Sequence, residues 1–157
     1  MTVLVTRLPF LLLSVLWAGP LVAQTLVNGG GAGEPVALHA LQLIGGTGID
    51  VDGRLDEEVW QQAIPITDFT QQEPVEGGTP SERTEIRVVY DEDAIYIGAI
   101  LYDDPAGILV FQKRRDGFLS ADDRFMWILD TFQDGRTGYF FETNAVGVMG
   151  DALISGG

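Results

Sequence analysis

Two pairs of adjacent carboxylates have the residue types and spacing for metal binding. Asp103-Asp104 follows one apolar run, and Asp122-Asp123 precedes another. Calcium takes about six to eight oxygen ligands, and carboxylates at strand ends suit this hard cation. We therefore predict structural calcium, with Asp103-Asp104 and Asp122-Asp123 as the two best candidate pairs of ligands and solvated turn carboxylates as the alternative. Asp50-Val51-Asp52-Gly53 resembles the start of an EF-hand loop, but the remaining ligands do not follow, so it predicts a turn.

Groups that catalyse reactions are sparse in this sequence. It has no cysteine, one histidine (His39), and neither a Gly-x-Ser-x-Gly nor a His-Glu-x-x-His motif. The usual hydrolase and metalloprotease sites are therefore excluded. Two carboxylates can hydrolyse a glycosidic bond, but 23 acidic residues supply many pairs and none stands out. We expect no catalytic residue in this chain, and we interpret His39 as a half-exposed strand residue.

Alternating apolar residues predict two consecutive β-hairpins. The first joins a strand over 85–91 to an almost wholly apolar strand over 94–102, which is typical of a strand buried on both faces. The second joins 124–132 to 139–144 through a turn that contains the Asp134-Gly135 pair favoured by tight hairpins.

The remaining segments predict smaller elements. We expect a strand over 36–44, a short helix with Leu55, Val59 and Ala63 on its apolar side, and a polar loop over 71–83. Trp60 should anchor the core beside this helix. The residues from 146 to 157 are rich in Gly, Ala and Ser and predict no closing strand.

These elements predict an all-β fold. Short strands at this spacing indicate a β-sandwich of the jelly-roll or immunoglobulin-like kind with one short N-terminal helix. Because such sandwiches need further strands to cover their edges, we expect the domain to be incomplete at its C-terminal end.

The N-terminal residues have the order of a secretory signal. Arg7 precedes an apolar run that ends in the small-residue exit Leu21-Val22-Ala23. Pro9, Gly19 and Pro20 interrupt this run, which falls short of the roughly 20 residues of a membrane span. We predict a cleaved signal peptide over 1–23, a flexible glycine-rich linker over 24–36 and one domain over 37–157, exported to the periplasm, the outer membrane or the extracellular space.

The charge of the chain restricts its partners. Nine basic and 23 acidic residues give a net charge of −14, and removal of Arg7 with the signal makes it −15. A strongly anionic surface repels nucleic acid, so we expect no nucleic-acid partner. The basic triplet 113–115 is interpreted as a solvated patch that pairs with nearby carboxylates.

Several segments, in this order and spacing, resemble a carbohydrate-binding module of family 9. The opening segment 49–60 contains Asp-Gly, Leu-Asp-Glu and Trp, and the hairpin strands end in acidic residues. The later segments are similar to one branch of that family, whose exported bacterial members carry the module before a C-terminal domain of unknown function. The segments are 49–60, Phe69, Glu73-Pro74, 84–91, 94–103, 122–130 and 138–144.

The resemblance, which covers about 47–153, implies a β-sandwich, structural calcium, and binding of a poly- or oligosaccharide in polysaccharide catabolism. It also implies a C-terminal outer-membrane barrel in the full-length protein. Family members grip the sugar between aromatic side chains, one of them late in the domain, and this sequence ends before that region.

Sugar binding needs aromatic faces for the apolar side of the ring and polar groups for its hydroxyls. We expect the candidates on exposed strand faces: Arg87, Tyr96, Arg124, Glu142 and Asn144. Structural pairing of these charges across neighbouring strands is an equal alternative. The resulting hypotheses are a non-catalytic glycan-binding module, an envelope docking domain without sugar binding, and the N-terminal part of a glycoside hydrolase whose active site lies outside this chain.

Overall fold

The computed structural model describes residues 2–9, 37–44 and 48–156, which form strands in two small sheets with almost no helix. The predicted all-β class is therefore confirmed. The chain divides into two compact units, Met1–Asp103 and Asp104–Gly157. Among the residues described, we find no helix with the length and hydrophobicity of a membrane span.

The first unit contains a four-stranded sheet and the helix. The sheet has the order β1-β4-β3-β2, in which β2 pairs parallel with β3 and the other neighbours are antiparallel. Its elements are β1 (Thr2–Pro9), β2 (Leu41–Gln42), α1 (Glu58–Gln62), β3 (Thr84–Tyr90) and β4 (Ala94–Leu101). The first predicted hairpin is confirmed as β3 and β4, and the loop 71–83 contains no strand.

Helix α1 closes the core of this unit. Trp60 is 1 % exposed and packs with Ala63, Val89, Ala94 and Tyr96. Leu55 and Val59 lie against this cluster, which confirms the anchoring role predicted for Trp60. Of the three residues predicted on the apolar side of the helix, Val59 lies within α1, whereas Leu55 precedes it and Ala63 follows it in extended conformation. Pro65 lies just beyond the end of α1, where proline cannot continue a helix.

The second unit contains a three-stranded antiparallel sheet in chain order. Its strands are β5 (Arg124–Leu129), β6 (Thr137–Asn144) and β7 (Met149–Ser155). The second predicted hairpin is confirmed as β5 and β6. Asp134 stabilises its turn, because its carboxylate accepts hydrogen bonds from the amides of Arg136 and Thr137 and from the Thr137 hydroxyl.

Two predictions about strands were wrong. The tail carries β7, which forms because the free edge of β6 bonds to it along seven residues despite the weak strand propensity of Gly, Ala and Ser. The first strand was predicted over 36–44, but only Leu41–Gln42 pair with β3. The predicted linker 24–36 and most of the predicted signal, from residue 10 onward, lie outside the described residues.

Candidate functional site

One face of the second sheet combines a charged pair with accessible apolar side chains. Because side chains alternate along strands, β5 to β7 place Arg124, Met126, Ile128, Phe140, Glu142 and Ile154 on the same side. We call this surface the Arg124 face. Met126 is 49 % exposed and Ile128 is 54 % exposed. Apolar side chains are therefore accessible to solvent on the same face as the charged side chains of Arg124 and Glu142.

The polar end is the Arg124–Glu142 pair. Arg124 Nη1 donates to Glu142 Oε2 at 2.7 Å. Gly150 lies opposite Glu142 on β7, and a Cβ there would be 3.2 Å from Cγ and Oε1 of Glu142. The absence of a side chain at Gly150 thus leaves room for Glu142. Both side chains are partly exposed, so the remaining guanidinium N–H groups and carboxylate lone pairs are accessible to a ligand's hydroxyl groups.

A buried polar cluster positions this pair. Asn144, which lies opposite Arg124 in the sheet, donates from Nδ2 to Asp122 Oδ2 at 2.8 Å and to the Gln112 carbonyl at 2.9 Å. The Gln112 amide donates to Asp122 Oδ2 at 3.1 Å, and Asn144 Oδ1 accepts from the amides of Val146 and Val148. These bonds connect the start of β5 to the end of β6.

Asp122 is ionised in this cluster over a wide pH range. The hydrogen bond from Asn144 lowers the pKa of Asp122 below its ordinary value of 3.8, and amide hydrogen bonds from Gln112 and Phe111 act in the same direction. Burial opposes them by raising the pKa, but its effect is smaller. A negative charge on Asp122 is therefore part of the folded state.

Two of the five predicted sugar-binding residues are not where we expected them. Tyr96 and Asn144 were expected on exposed faces, but each is only 4 % exposed. Tyr96 lies in the α1 core and its hydroxyl donates to Asp91 Oδ2 at 3.0 Å, and Asn144 is enclosed by the cluster described above. The expectation of exposure was wrong because strand alternation does not reveal which face another element covers.

The fifth candidate, Arg87, belongs to a different cluster in the first sheet. Its Nη1 donates to Glu85 Oε2 at 2.8 Å, and Glu85 also pairs with Arg83 and accepts from the Tyr102 hydroxyl. Burial raises the pKa of Glu85, but the hydrogen bonds from Arg87 and Tyr102 and both arginine charges outweigh it, so the pKa is lowered. Arg87 therefore stabilises a buried carboxylate. The structure brings Arg124, Glu142 and Asn144 together, and Arg87 and Tyr96 lie in the other unit.

Three of the four predicted calcium ligands accept hydrogen bonds. Asp122 accepts from Asn144 and Gln112, Asp123 Oδ2 accepts from the Leu109 amide at 2.8 Å, and Asp104 Oδ1 accepts from the Ala106 amide at 3.0 Å. Among the described residues, no group of three or more acidic, His or Cys side chains converges. Calcium binding therefore stays a prediction.

The opposite side of the second sheet carries a row of aromatic rings. The Trp127 centroid is 5.2 Å from that of Phe125 and 5.5 Å from that of Phe141. We call this side the Trp127 face. Phe125 and Trp127 share this face because side chains alternate along β5, whereas Phe141 joins them through the register of β5 with β6, for which the sequence contains no local signal. On the Arg124 face, Phe140 is the aromatic side chain contributed by β5 to β7.

The Asp151–Arg115 ion pair also belongs to the second unit. Arg115 Nη2 lies 2.5 Å from Asp151 Oδ1, and Asp151 is opposite Phe141, which places it on the Trp127 face. This pair confirms the interpretation of the basic triplet for Arg115. It also provides a charged pair of the same type as Arg124–Glu142 on the other side of the sheet.

Comparison with protein-family models, with curated proteins and with solved structures found no match to this chain. The resemblance to family 9 carbohydrate-binding modules therefore stays a prediction.

Proposed function

We propose that this chain is a non-catalytic carbohydrate-binding module of an exported bacterial protein, with the strands arranged as a jelly-roll or immunoglobulin-like β-sandwich. The observation that carries the proposal is the Arg124 face, where a partly exposed Arg–Glu pair adjoins exposed apolar side chains. A sugar presents hydroxyl groups around an apolar ring face, so one surface with both features can bind it. The family resemblance of the sequence supports the same function.

The pair can engage two neighbouring hydroxyl groups at once. Arg124 offers N–H donors in a fixed planar arrangement, and Glu142 offers carboxylate acceptors. Met126 lies opposite Glu142 in the sheet, and Phe140 lies opposite Ile128. The sugar ring would therefore lie against Met126 and Phe140 while its hydroxyl groups bond to the charged pair.

Calorimetric titration of the full chain with xylo- and cello-oligosaccharides tests the proposal. We expect measurable binding heat, and we expect Glu142→Gln to weaken binding about tenfold or more, because a hydrogen bond to a charged group contributes about 1.5–3 kcal/mol. Asp151→Asn is the matched control, because it breaks an ion pair of the same unit on the Trp127 face.

Two results would contradict this assignment. Equal weakening by both substitutions would show that the Arg124 face is not the binding surface. The absence of heat with every glycan would favour the second candidate function, a docking domain without sugar binding. That alternative is supported by the exposed apolar side chains of Met126, Ile128 and Ile154, which also suit contact with another protein.

A further inference from the structure

Strand β4 lies between two other strands over its whole length. On one side β3 pairs with it from Thr84↔Leu101 to Tyr90↔Ile95, and on the other side β1 pairs with it from Thr2↔Leu101 to Pro9↔Ala94. Much of β4 is buried, including Ala94, Tyr96, Ile97 and Ala99. It is therefore a central strand, and both of its edges need hydrogen-bonding partners.

The strand on one of those edges is made from residues of the predicted signal. β1 spans Thr2–Pro9, and cleavage after Ala23 removes all of it. This step depends on the export that forms part of the proposed function. Cleavage leaves an eight-residue apolar edge without its partner, and such an edge is a template for pairing with another strand.

The sequence that follows the predicted cleavage site has weak strand propensity. Between residues 24 and 36 the apolar stretch Leu26-Val27 is followed at once by Asn28 and three consecutive glycines. Glycine and asparagine are poor strand formers. The composition of 24–36 therefore does not favour a strand as long as β1.

The charge of the chain selects the kind of strand that fits. Residues 2–9 contain one basic residue, Arg7, and no acidic residue, whereas the rest of the chain has a net charge of −15. An acidic segment or a second copy of this chain is repelled by that charge. We propose that the outer edge of β4 is a strand-acceptor site, which takes an extended, apolar segment of a partner protein that lacks acidic residues. Main-chain hydrogen bonds supply the affinity in such strand addition.

A full-length variant with β1 released tests the acceptor site directly. Leu4→Pro combined with Val5→Pro interrupts the hydrogen bonds between β1 and β4. Every second amide of an edge strand faces its neighbour, so one of two adjacent prolines always removes an N–H donor to β4. The probe is a fluorescently labelled peptide with the sequence of residues 2–9, and its anisotropy reports binding. We expect it to bind the double variant at least tenfold more tightly than the unsubstituted chain, whose edge is occupied.

Two matched controls accompany this measurement. A chain with Leu12→Pro and Leu13→Pro, outside β1, should behave like the unsubstituted chain. A peptide with Arg7→Glu should bind the double variant severalfold more weakly at low salt. Equal binding of the two peptides would overturn the selection against acidic segments. A variant that dimerises in sedimentation and binds no peptide would show that a second copy occupies the edge.

A second measurement does not require the proline variant to fold. A protease site inserted after Gly31 allows the folded full chain to be cut, which removes the covalent link between β1 and β4. We expect the labelled peptide to exchange into the cut protein and not into the uncut one. Failure of the peptide to bind after residues 2–9 have dissociated would overturn the acceptor site.

N-terminal sequencing of the exported protein separates this inference from the proposed export. A retained N-terminus would overturn both export with cleavage and the opening of the edge. If the N-terminus is cleaved but the cleaved protein does not bind the peptide, the acceptor site is overturned and the proposed export stands.

Discussion

At the residue scale, Asp122 couples the stability of the second unit to pH. Its pKa lies below the ordinary value of 3.8, so its charged form stabilises the fold above about that pH, and this stabilisation is lost as the pH falls through the lowered pKa. We expect Asp122→Asn to lower the melting temperature at pH 7, because an amide N–H₂ then faces the donors of Asn144 and Gln112.

The pH profile of that variant provides its own control. The difference in melting temperature between the two proteins should be constant from pH 7 to about pH 5 and should shrink below pH 3.8. A difference that does not change with pH would mean that the ionisation of Asp122 has no part in stability.

Gly98 lies in close contact with two side chains of the first unit. A Cβ there would lie 2.7 Å from Leu55 Cδ2 and 3.0 Å from Trp60 Cζ3. We expect Gly98→Ala to lower the free energy of unfolding by about 1–3 kcal/mol through overpacking, as measured by urea denaturation. Gly48→Ala is the control, since a Cβ at Gly48 has nothing within 4 Å, and it should be neutral or slightly stabilising. Equal effects of the two substitutions would contradict this account.

At the scale of elements, helix α1 depends on Trp60. The helix has five residues, too few for independent stability, so its packing must maintain it. We expect Trp60→Ala to lower the free energy of unfolding by about 3–5 kcal/mol. Trp60→Phe should cost less than half as much, because the indole Nε1 has no hydrogen-bond partner among the described residues. If both variants lose the same stability, the indole N–H has a role that packing does not explain.

Local sequence patterns predicted the elements that depend on alternation. The apolar run of β4 and the Asp134-Gly135 turn identify the two hairpins because burial and turn geometry impose their own residue preferences. β7 was missed, since Gly150 and Ala152 have little strand propensity and the strand forms by pairing with β6. The exposure of Tyr96 was also mistaken, because its burial depends on α1, which precedes it by more than 30 residues.

The sequence predicted side chains of the candidate site but not its main-chain contacts. Arg124 and Glu142 were identified as polar strand residues, and their direct pairing was one of the two alternatives. Gln112 was not identified, because it contributes main-chain groups to the Asp122–Asn144 cluster from an irregular segment. Main-chain contacts of this kind are independent of side-chain type and leave no motif.

At the scale of the whole molecule, the predicted calcium requirement can be tested directly. If the ion stabilises the fold, excess EDTA should lower the melting temperature of the full chain, and added calcium should restore it, because a ligand that binds only the folded state stabilises it. Magnesium at the same concentration is the control for ionic strength. An unchanged melting temperature with EDTA would make the calcium prediction wrong.

The parallel pairing of β2 with β3 has a consequence for the order of folding. Forty-one residues, 43–83, separate these two strands, whereas three residues, 91–93, separate β3 from β4. Closing the longer loop costs about 2 kcal/mol more in chain entropy. Only two residues of β2 pair with β3 to offset this cost. We therefore expect the β3–β4 hairpin to form early and β2 to dock late, after α1 has covered β4. In pulsed hydrogen exchange during refolding, the amide of Leu43, which bonds to the Tyr90 carbonyl, should gain protection after those of β4.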